Sequence, residues 1–344
     1  YRVRAASVRR LILIGKKTVE GFNGTPTELL AAIKNVVIDQ QRTFALAYEK
    51  ILKELKQLHI LQTDENHLND EEQLFTQSFF RERVRPLIVP IMLSDKIAFP
   101  QLKDGGNYLA VRMTNFAKSK TKYALIEIPA SCSRFIIIPT PEGAPKKLIL
   151  VDDIIRFNLK EIFSIFSYDE IKANAFKITR DAELDVDEDI SKSYVEKMQD
   201  SIEMRKEGDT VRFVFDAAMP IDVLQYLMDA LKLKAGGNII PGGKYHNFKD
   251  FMGFPNFGSK EFTFKPTKPL SHPAFKGLNT SLLKHILSED VMLTFPFQSF
   301  QYIIDVLREA AIDPKVVSIK INLYRVASNS HIINALISAA QNGV

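Results

Sequence analysis

At 344 residues the chain has room for roughly two domains of about 150 residues each, and 46% hydrophobic with 25% charged residues is an ordinary globular composition. Its longest apolar runs, such as Leu11 to Ile14 and Phe135 to Ile138, fall far short of the roughly 20 residues that a membrane-spanning helix needs, and one cysteine, Cys132, excludes a disulfide framework and a thiolate zinc cluster. A net charge of +5, from 46 Lys and Arg against 41 Asp and Glu, excludes a polybasic nucleic-acid coat.

The charges are unevenly placed. Residues 1 to 57 hold 11 basic and 5 acidic side chains, residues 181 to 210 hold 4 and 11, and residues 231 to 279 hold 8 and 2. Two basic segments therefore flank an acidic one. The chain starts at Tyr1 and stops at Val344 just after a helical pattern, so it reads as a fragment of a longer protein.

Thr25, Pro26 and Glu28 fit an N-cap, a first-turn proline and a capping-box glutamate, and predict a long helix to about residue 60. Leu30, Ile33, Val37, Phe44, Tyr48, Ile51, Leu55 and Leu58 recur at helical steps along it, an apolar stripe that calls for a partner helix. A second capping box, Asn69 to Glu72, opens a shorter helix that ends near Val84, because Pro86 disfavours helical Arg85. Short β-branched and aromatic runs follow at Asn107 to Met113, Lys122 to Ile128, Arg134 to Ile138 and Lys147 to Val151, the texture of antiparallel strands. Asp152 or Asp153 is placed to cap a helix through Phe166, and strands at Asn174 to Thr179 and Thr210 to Phe215 surround a helix near residues 188 to 205. Beyond Pro269 and Pro273, which bracket a linker, the pattern alternates. Strands are expected at Val291 to Phe295 and Lys315 to Arg325, helices at Phe300 to Ala311 and Ser330 to Ala340, and together they argue for a parallel sheet.

The chemistry-bearing residues are sparse. Gly242 and Gly243 lack the spacing of a phosphate-cradling loop, and the six histidines, His59, His67, His246, His272, His285 and His331, show no metal-ligand spacing. Residues 241 to 256 mix Lys244 and Lys249 with Tyr245, Phe248, Phe251 and Phe254, as polyanion-binding loops do, although composition by itself favours aromatics that anchor a loop to the core. Residues 179 to 185, Thr-Arg-Asp-Ala-Glu-Leu-Asp, could direct magnesium, yet consecutive surface acids more commonly form a solvated face.

Six blocks resemble the large bacterial polyphosphate kinase family, the ATP-polyphosphate phosphotransferases. They are Tyr1 to Arg10, Tyr123 to Pro129, Lys177 to Asp185 (KITRDAELD), Val211 to Phe215, Pro241 to Asn256 (PGGKYHNFKDFMGFPN) and Ile319 to Val326 (IKINLYRV). The resemblance implies a cytoplasmic, multidomain α and β enzyme that touches the membrane at most peripherally. On its template, residues 1–57 are the end of a helical domain, 58–271 an α+β middle domain that helps build the dimer, and 272–344 the start of a phospholipase D-like α/β catalytic domain. It also implies reversible transfer of the ATP γ-phosphate to polyphosphate through a phosphohistidine, with Mg2+, ATP or ADP and polyphosphate as cofactor and substrates, and a homo-oligomer.

The family's nucleophile stands in a His-x-Lys motif that none of the six histidines matches, so the chain alone is expected to be inactive. The resemblance assigns Arg325 to a phosphate and magnesium site. Alternation of Ile319, Ile321 and Leu323 with Lys320, Asn322 and Tyr324 would put it at the carboxyl end of a strand, where open parallel sheets bind ligands. Lys244 and Lys249 are further phosphate candidates. The alternatives are a non-catalytic polyanion-binding or dimerisation module and a phospholipase D-like phosphodiesterase.

Overall fold

The computed structural model describes residues 2–94, 96–180, 210–233, 239–257, 262–275, 281–327 and 329–344. Its contacts divide the chain into two units, 1–257 and 258–344. The expected helix near residues 188 to 205 lies outside the described residues.

The first unit begins with helices α1 (Arg2–Leu13) and α2 (Pro26–Gln57). The predicted capping box is formed: the Thr25 hydroxyl accepts from the Glu28 N–H at 3.3 Å, and the Glu28 carboxylate accepts from the Thr25 N–H at 2.7 Å. The apolar stripe of α2 does not find the single partner helix expected of it. Leu30 packs with Ala5 and Ala6 of α1, whereas Ile33 and Val37 pack on Val214 and Ile240 of the sheet below. Farther along, Phe44 and Tyr48 meet an aromatic loop at residues 248–254. An amphipathic stripe specifies an apolar neighbour, and a sheet or a loop satisfies it as well as a helix does.

Next come β1 (Ile60–Thr63) and α3 (Asp70–Phe79), whose Asn69/Glu72 capping box is also present. The helix loosens into a π turn at Phe80–Val84 and a 3-10 turn at Arg85–Leu87, in keeping with Pro86. Six strands form the main sheet: β2 (Ile91–Leu93), β3 (Asn107–Asn115), β4 (Lys120–Glu127), β7 (Glu170–Arg180), β8 (Thr210–Asp216) and β9 (Ile239–Gly242), in the order β2-β4-β3-β7-β8-β9. A smaller sheet sets β6 (Lys146–Leu150) between a parallel β1 and an antiparallel β5 (Phe135–Ile138).

The period-2 alternation of the strands sorts the core into layers. Tyr108, Phe176, Ile178, Phe213 and Phe215 face α6 (Ile221–Ala230) on one side of the main sheet. Leu109, Val111, Ile126 and Ala175 face the small sheet and α4 (Val151–Phe157) on the other. The outer face of the small sheet, Phe135, Leu148 and Leu150, packs on Tyr245, Phe251 and Phe254.

The helix expected to run to Phe166 is broken into α4 and α5 (Leu159–Ile162) at Asn158, and neither Asp152 nor Asp153 caps it. Leu150 is the N-cap residue and makes no side-chain cap bond. Both aspartates are instead fully buried in the first turn, where Arg134 from outside the helix holds Asp152 and Arg156, one turn along the same helix, holds Asp153.

The second unit holds α7 (Leu282–Ile286), α8 (Gln301–Ile312) and α9 (His331–Gln341), the last two packing through Ile304, Leu307, Ile332 and Ala335. The helices at 300–311 and 330–340 are where the pattern put them. The strands are not: neither Val291 to Phe295 nor Lys315 to Arg325 is a strand, and no sheet forms among the described residues of this unit. Ile319 and Leu323 do pack on the helix pair, but Val317 and Tyr324 are 87% and 98% exposed. A strand is a pairing rather than a propensity, and no described neighbour supplies the hydrogen bonds.

Candidate functional site

Several of the sequence blocks converge at one edge of the first unit. Strand β9 ends at Gly242, where an added Cβ would lie 3.0 Å from Val214 Cγ1 and 3.1 Å from His246 Cε1. The glycine therefore serves close packing, which lets the following loop turn back over the sheet. In that loop His246 is buried, and its Nε2–H donates to the Ala175 carbonyl at 3.1 Å. Burial pushes the imidazole down to about 4, so it is neutral near pH 7. Asn247 takes a left-handed conformation (φ 61°) that aims its side chain at both Lys177 Nζ, 2.6 Å away, and Asp250, 2.8 Å away. Phe248 and Phe251 lie 4.5 Å from Phe44 and 4.8 Å from Phe135, ring centre to ring centre.

Beneath this loop lies an ionic network. Arg134 holds Asp152 with two hydrogen bonds, Nε to Oδ2 at 2.6 Å and Nη2 to Oδ1 at 2.8 Å, and reaches Asp250 at 2.7 Å and the His246 carbonyl at 3.0 Å. Arg156 donates to Asp153 at 2.7 Å and to the carbonyls of Ala173 and Lys244. The Tyr245 hydroxyl donates to Asp153 at 2.7 Å, and burial first, then the Asp153 charge, raises its pKa. Lys244 Nζ lies 2.5 Å from Glu65, 3.1 Å from Asp153 and 3.6 Å from Asp64. Lys177, bonded to the Asn247 amide oxygen, has its pKa lowered by burial, with the charges of Arg212 and Arg134 pressing the same way. Such an arrangement fixes a loop and presents its exposed tip.

The residues singled out from the sequence meet different fates. Lys249 is exposed on the loop, whereas Lys244 is partly buried and committed to the internal carboxylates. Arg325 is exposed on an irregular segment, so its expected place at the end of a parallel strand is not found. Of the 179–185 block only Thr179 and Arg180 are among the described residues, and the acids that could direct magnesium lie outside them. Among the described residues no group of three or more His, Cys, Asp or Glu side chains could hold a metal ion, because the acids that do gather here are taken by Arg134, Arg156 and Lys244. Cys132 is partly buried, and burial raises its thiol pKa, in keeping with an inert role.

Nothing in the local sequence marks Arg134, Glu65 or Arg156 as site residues. Arg134 meets Asp250 across 116 positions of sequence, a separation that no local pattern encodes. The one local signal is the Asp152-Asp153 pair beside an apolar strand, which has the composition of a helix cap.

Residues 71–254 match the family described as polyphosphate kinase middle domain, and residues 281–344 match polyphosphate kinase C-terminal domain 1. Over its whole length the chain is 40% identical to a polyphosphate kinase of Vibrio vulnificus and 37% identical to one of Escherichia coli, covering 49% and 50% of those proteins. The crystal structure of a polyphosphate kinase from Porphyromonas gingivalis superposes with a TM-score of 0.71 at 27% identity, over all of this chain and 48% of that one. The chain thus spans about half the length of the relatives it matches, and it belongs to the polyphosphate kinase family.

Proposed function

We propose that the chain is part of an enzyme that reversibly transfers the γ-phosphate of ATP to the end of a polyphosphate chain. The observation that carries this reading is 37% to 40% sequence identity to proteins named polyphosphate kinase along the entire chain, with the 244–251 block built into one network with Lys177. The phosphoryl group would pass through a phosphohistidine on a His-x-Lys histidine, a motif this sequence does not contain. Covalent relay of that kind divides one hard transfer into two easier ones. The proposed organisation is a helical piece at 1–57, a middle domain at 58–271 and the start of a catalytic domain at 272–344, working in the cytoplasm as a homo-oligomer.

In this reading the 244–251 loop is a braced platform. Lys249, exposed at its tip, and Arg325, exposed in the second unit, each contact phosphate oxygens of ATP or polyphosphate. Lys244 stays with Glu65 and Asp153, because leaving them would strand two carboxylates. Arginine carries no lone pair for a metal, so Arg325 contacts phosphate directly, and magnesium would arrive on ligands outside the described residues.

The test is the full-length gene product given ATP and a short polyphosphate primer, with Arg325→Lys and Arg325→Ala beside it. Wild type should lengthen the primer and, with ADP, shorten it. Arg325→Ala should lose on the order of 3 kcal/mol of transition-state stabilisation, with Arg325→Lys less affected and the melting temperatures unchanged. Full activity in Arg325→Ala removes that residue from the site. Salt-dependent polyphosphate binding without turnover would favour the binding module, and phosphodiester hydrolysis the phosphodiesterase.

A further inference from the structure

Lys249 is exposed, yet the residues on either side of it are held in place. It stands in a short 3-10 turn, Phe248–Gly253, whose Phe248 and Phe251 rings lie 4.6 Å apart and pack on Tyr48 at 5.2 and 5.4 Å. Just before the turn, the buried His246 is pinned twice, its ring by the Ala175 carbonyl and its own carbonyl by Arg134. Between these anchors lies Asn247, whose torsions set the direction in which the turn leaves the core.

Asn247 has φ 61° and ψ 52°, a left-handed conformation that costs most residues with a side chain more than it costs asparagine or aspartate. Its amide is used at both ends: Oδ1 accepts from Lys177 Nζ at 2.6 Å, and Nδ2 donates to Asp250 Oδ1 at 2.8 Å. The Asn247 carbonyl also accepts from the Asp250 N–H at 3.0 Å, and the other Asp250 oxygen accepts from Arg134 at 2.7 Å. Asparagine meets all of these demands together. Glycine takes the backbone conformation but offers neither side-chain bond, and aspartate keeps the bond to Lys177 while setting a second carboxylate against Asp250.

We propose that Asn247 is a positioning residue for polyphosphate binding: by tying Asp250 to Lys177 of β7 it clamps the backbone on both sides of Lys249, so that the Lys249 ammonium meets phosphate from a fixed base. This rests on the reading of Lys249 as a phosphate contact, and Asn247 itself touches no phosphate. A clamp of this kind adds no charge to the interaction. It lowers the cost of ordering the loop when the polyanion binds, because that order is already present in the free protein. The two contributions separate in a salt titration: the number of phosphates neutralised sets the slope of affinity against salt, whereas preorganisation shifts affinity alike at every salt concentration.

Binding of inorganic polyphosphate of defined length to the full-length protein, without ATP, is measured by calorimetry between about 50 and 200 mM salt, with each variant checked for folding by circular dichroism. Asn247→Gly should bind roughly threefold to tenfold more weakly than wild type with the wild-type slope, whereas Lys249→Ala should bind more weakly with a slope lower by about one phosphate. Asn247→Asp should be impaired, and adding Asp250→Asn, which restores the net charge and the hydrogen bond with its polarity reversed, should recover most of the affinity. Wild-type affinity in Asn247→Gly, or a double variant no better than Asn247→Asp, overturns the clamp. A lowered slope in Asn247→Gly also overturns it, because position 247 would then contact phosphate directly. An unchanged slope in Lys249→Ala refutes the phosphate reading of Lys249 and the clamp with it, whereas a lowered slope there beside an unimpaired Asn247→Gly refutes the clamp alone. If Asn247→Gly does not fold, the aspartate pair decides.

Discussion

Replacing Arg134 by methionine tests whether the ionic network or the aromatic packing holds the 244–251 loop in place. Arg134 is buried, and it satisfies both oxygens of Asp152, which is itself fully buried, besides Asp250 and the His246 carbonyl. The substitution keeps much of the side-chain volume but removes the guanidinium. Asp250, about a third exposed, can recover water, whereas Asp152 has none within reach. The loss is therefore dominated by one stranded buried charge, about 3 to 5 kcal/mol, against total stabilities of about 5 to 15 kcal/mol for typical domains. Urea unfolding at pH 7, followed by circular dichroism and by tyrosine fluorescence, measures it. Adding Asp152→Asn to Arg134→Met should restore more than half of the loss, because the stranded charge is gone. A single-variant loss under about 1 kcal/mol, or a double variant no better than the single, would show that the aromatic contacts carry the loop and that the network is incidental.

Thr25→Ala removes the exposed capping box of α2 and should cost about 1 kcal/mol, read from the same urea curves. Lys249→Ala should lower the salt slope of polyphosphate binding by roughly one phosphate's worth without changing stability, whereas Lys244→Ala should lower stability by a few kcal/mol. The buried imidazole of His246 is depressed to about 4, so its contribution to stability is present above about pH 6.5 and is lost as pH falls toward 4. Its replacement by glutamine should flatten the acid limb of the stability profile, and an unchanged limb in a folded variant would remove His246 as its cause.

Much of the local structure was legible because its causes are local. The Thr25/Glu28 and Asn69/Glu72 boxes satisfy amide groups three residues away, and both helices start where these pairs stand. The strands from Asn107 onward stand out as β-branched and aromatic runs bounded by turn residues, a texture carried by the segments themselves. Such features need no knowledge of the rest of the chain. The same is true of the sequence blocks that marked the family, since they are contiguous strings.

What remained hidden depends on partners far away in sequence. The α2 stripe announced that it needed an apolar neighbour but could not say whether helix, sheet or loop would provide one. Ile319, Ile321 and Leu323 alternate as a strand would, yet without a neighbouring strand they remain an irregular segment against two helices, and Arg325 follows them. Asp152 and Asp153 have the composition of a helix start, and only the approach of Arg134 and Lys244 from elsewhere in the chain turns them into the centre of a buried network. By itself the sequence determined where the capped helices begin, where the strands of the first unit run and which family the strings belong to. Tertiary structure alone decided which charges are buried together, because the cost of burying a charge depends on the distance to its counter-charge, and that distance is set by the fold.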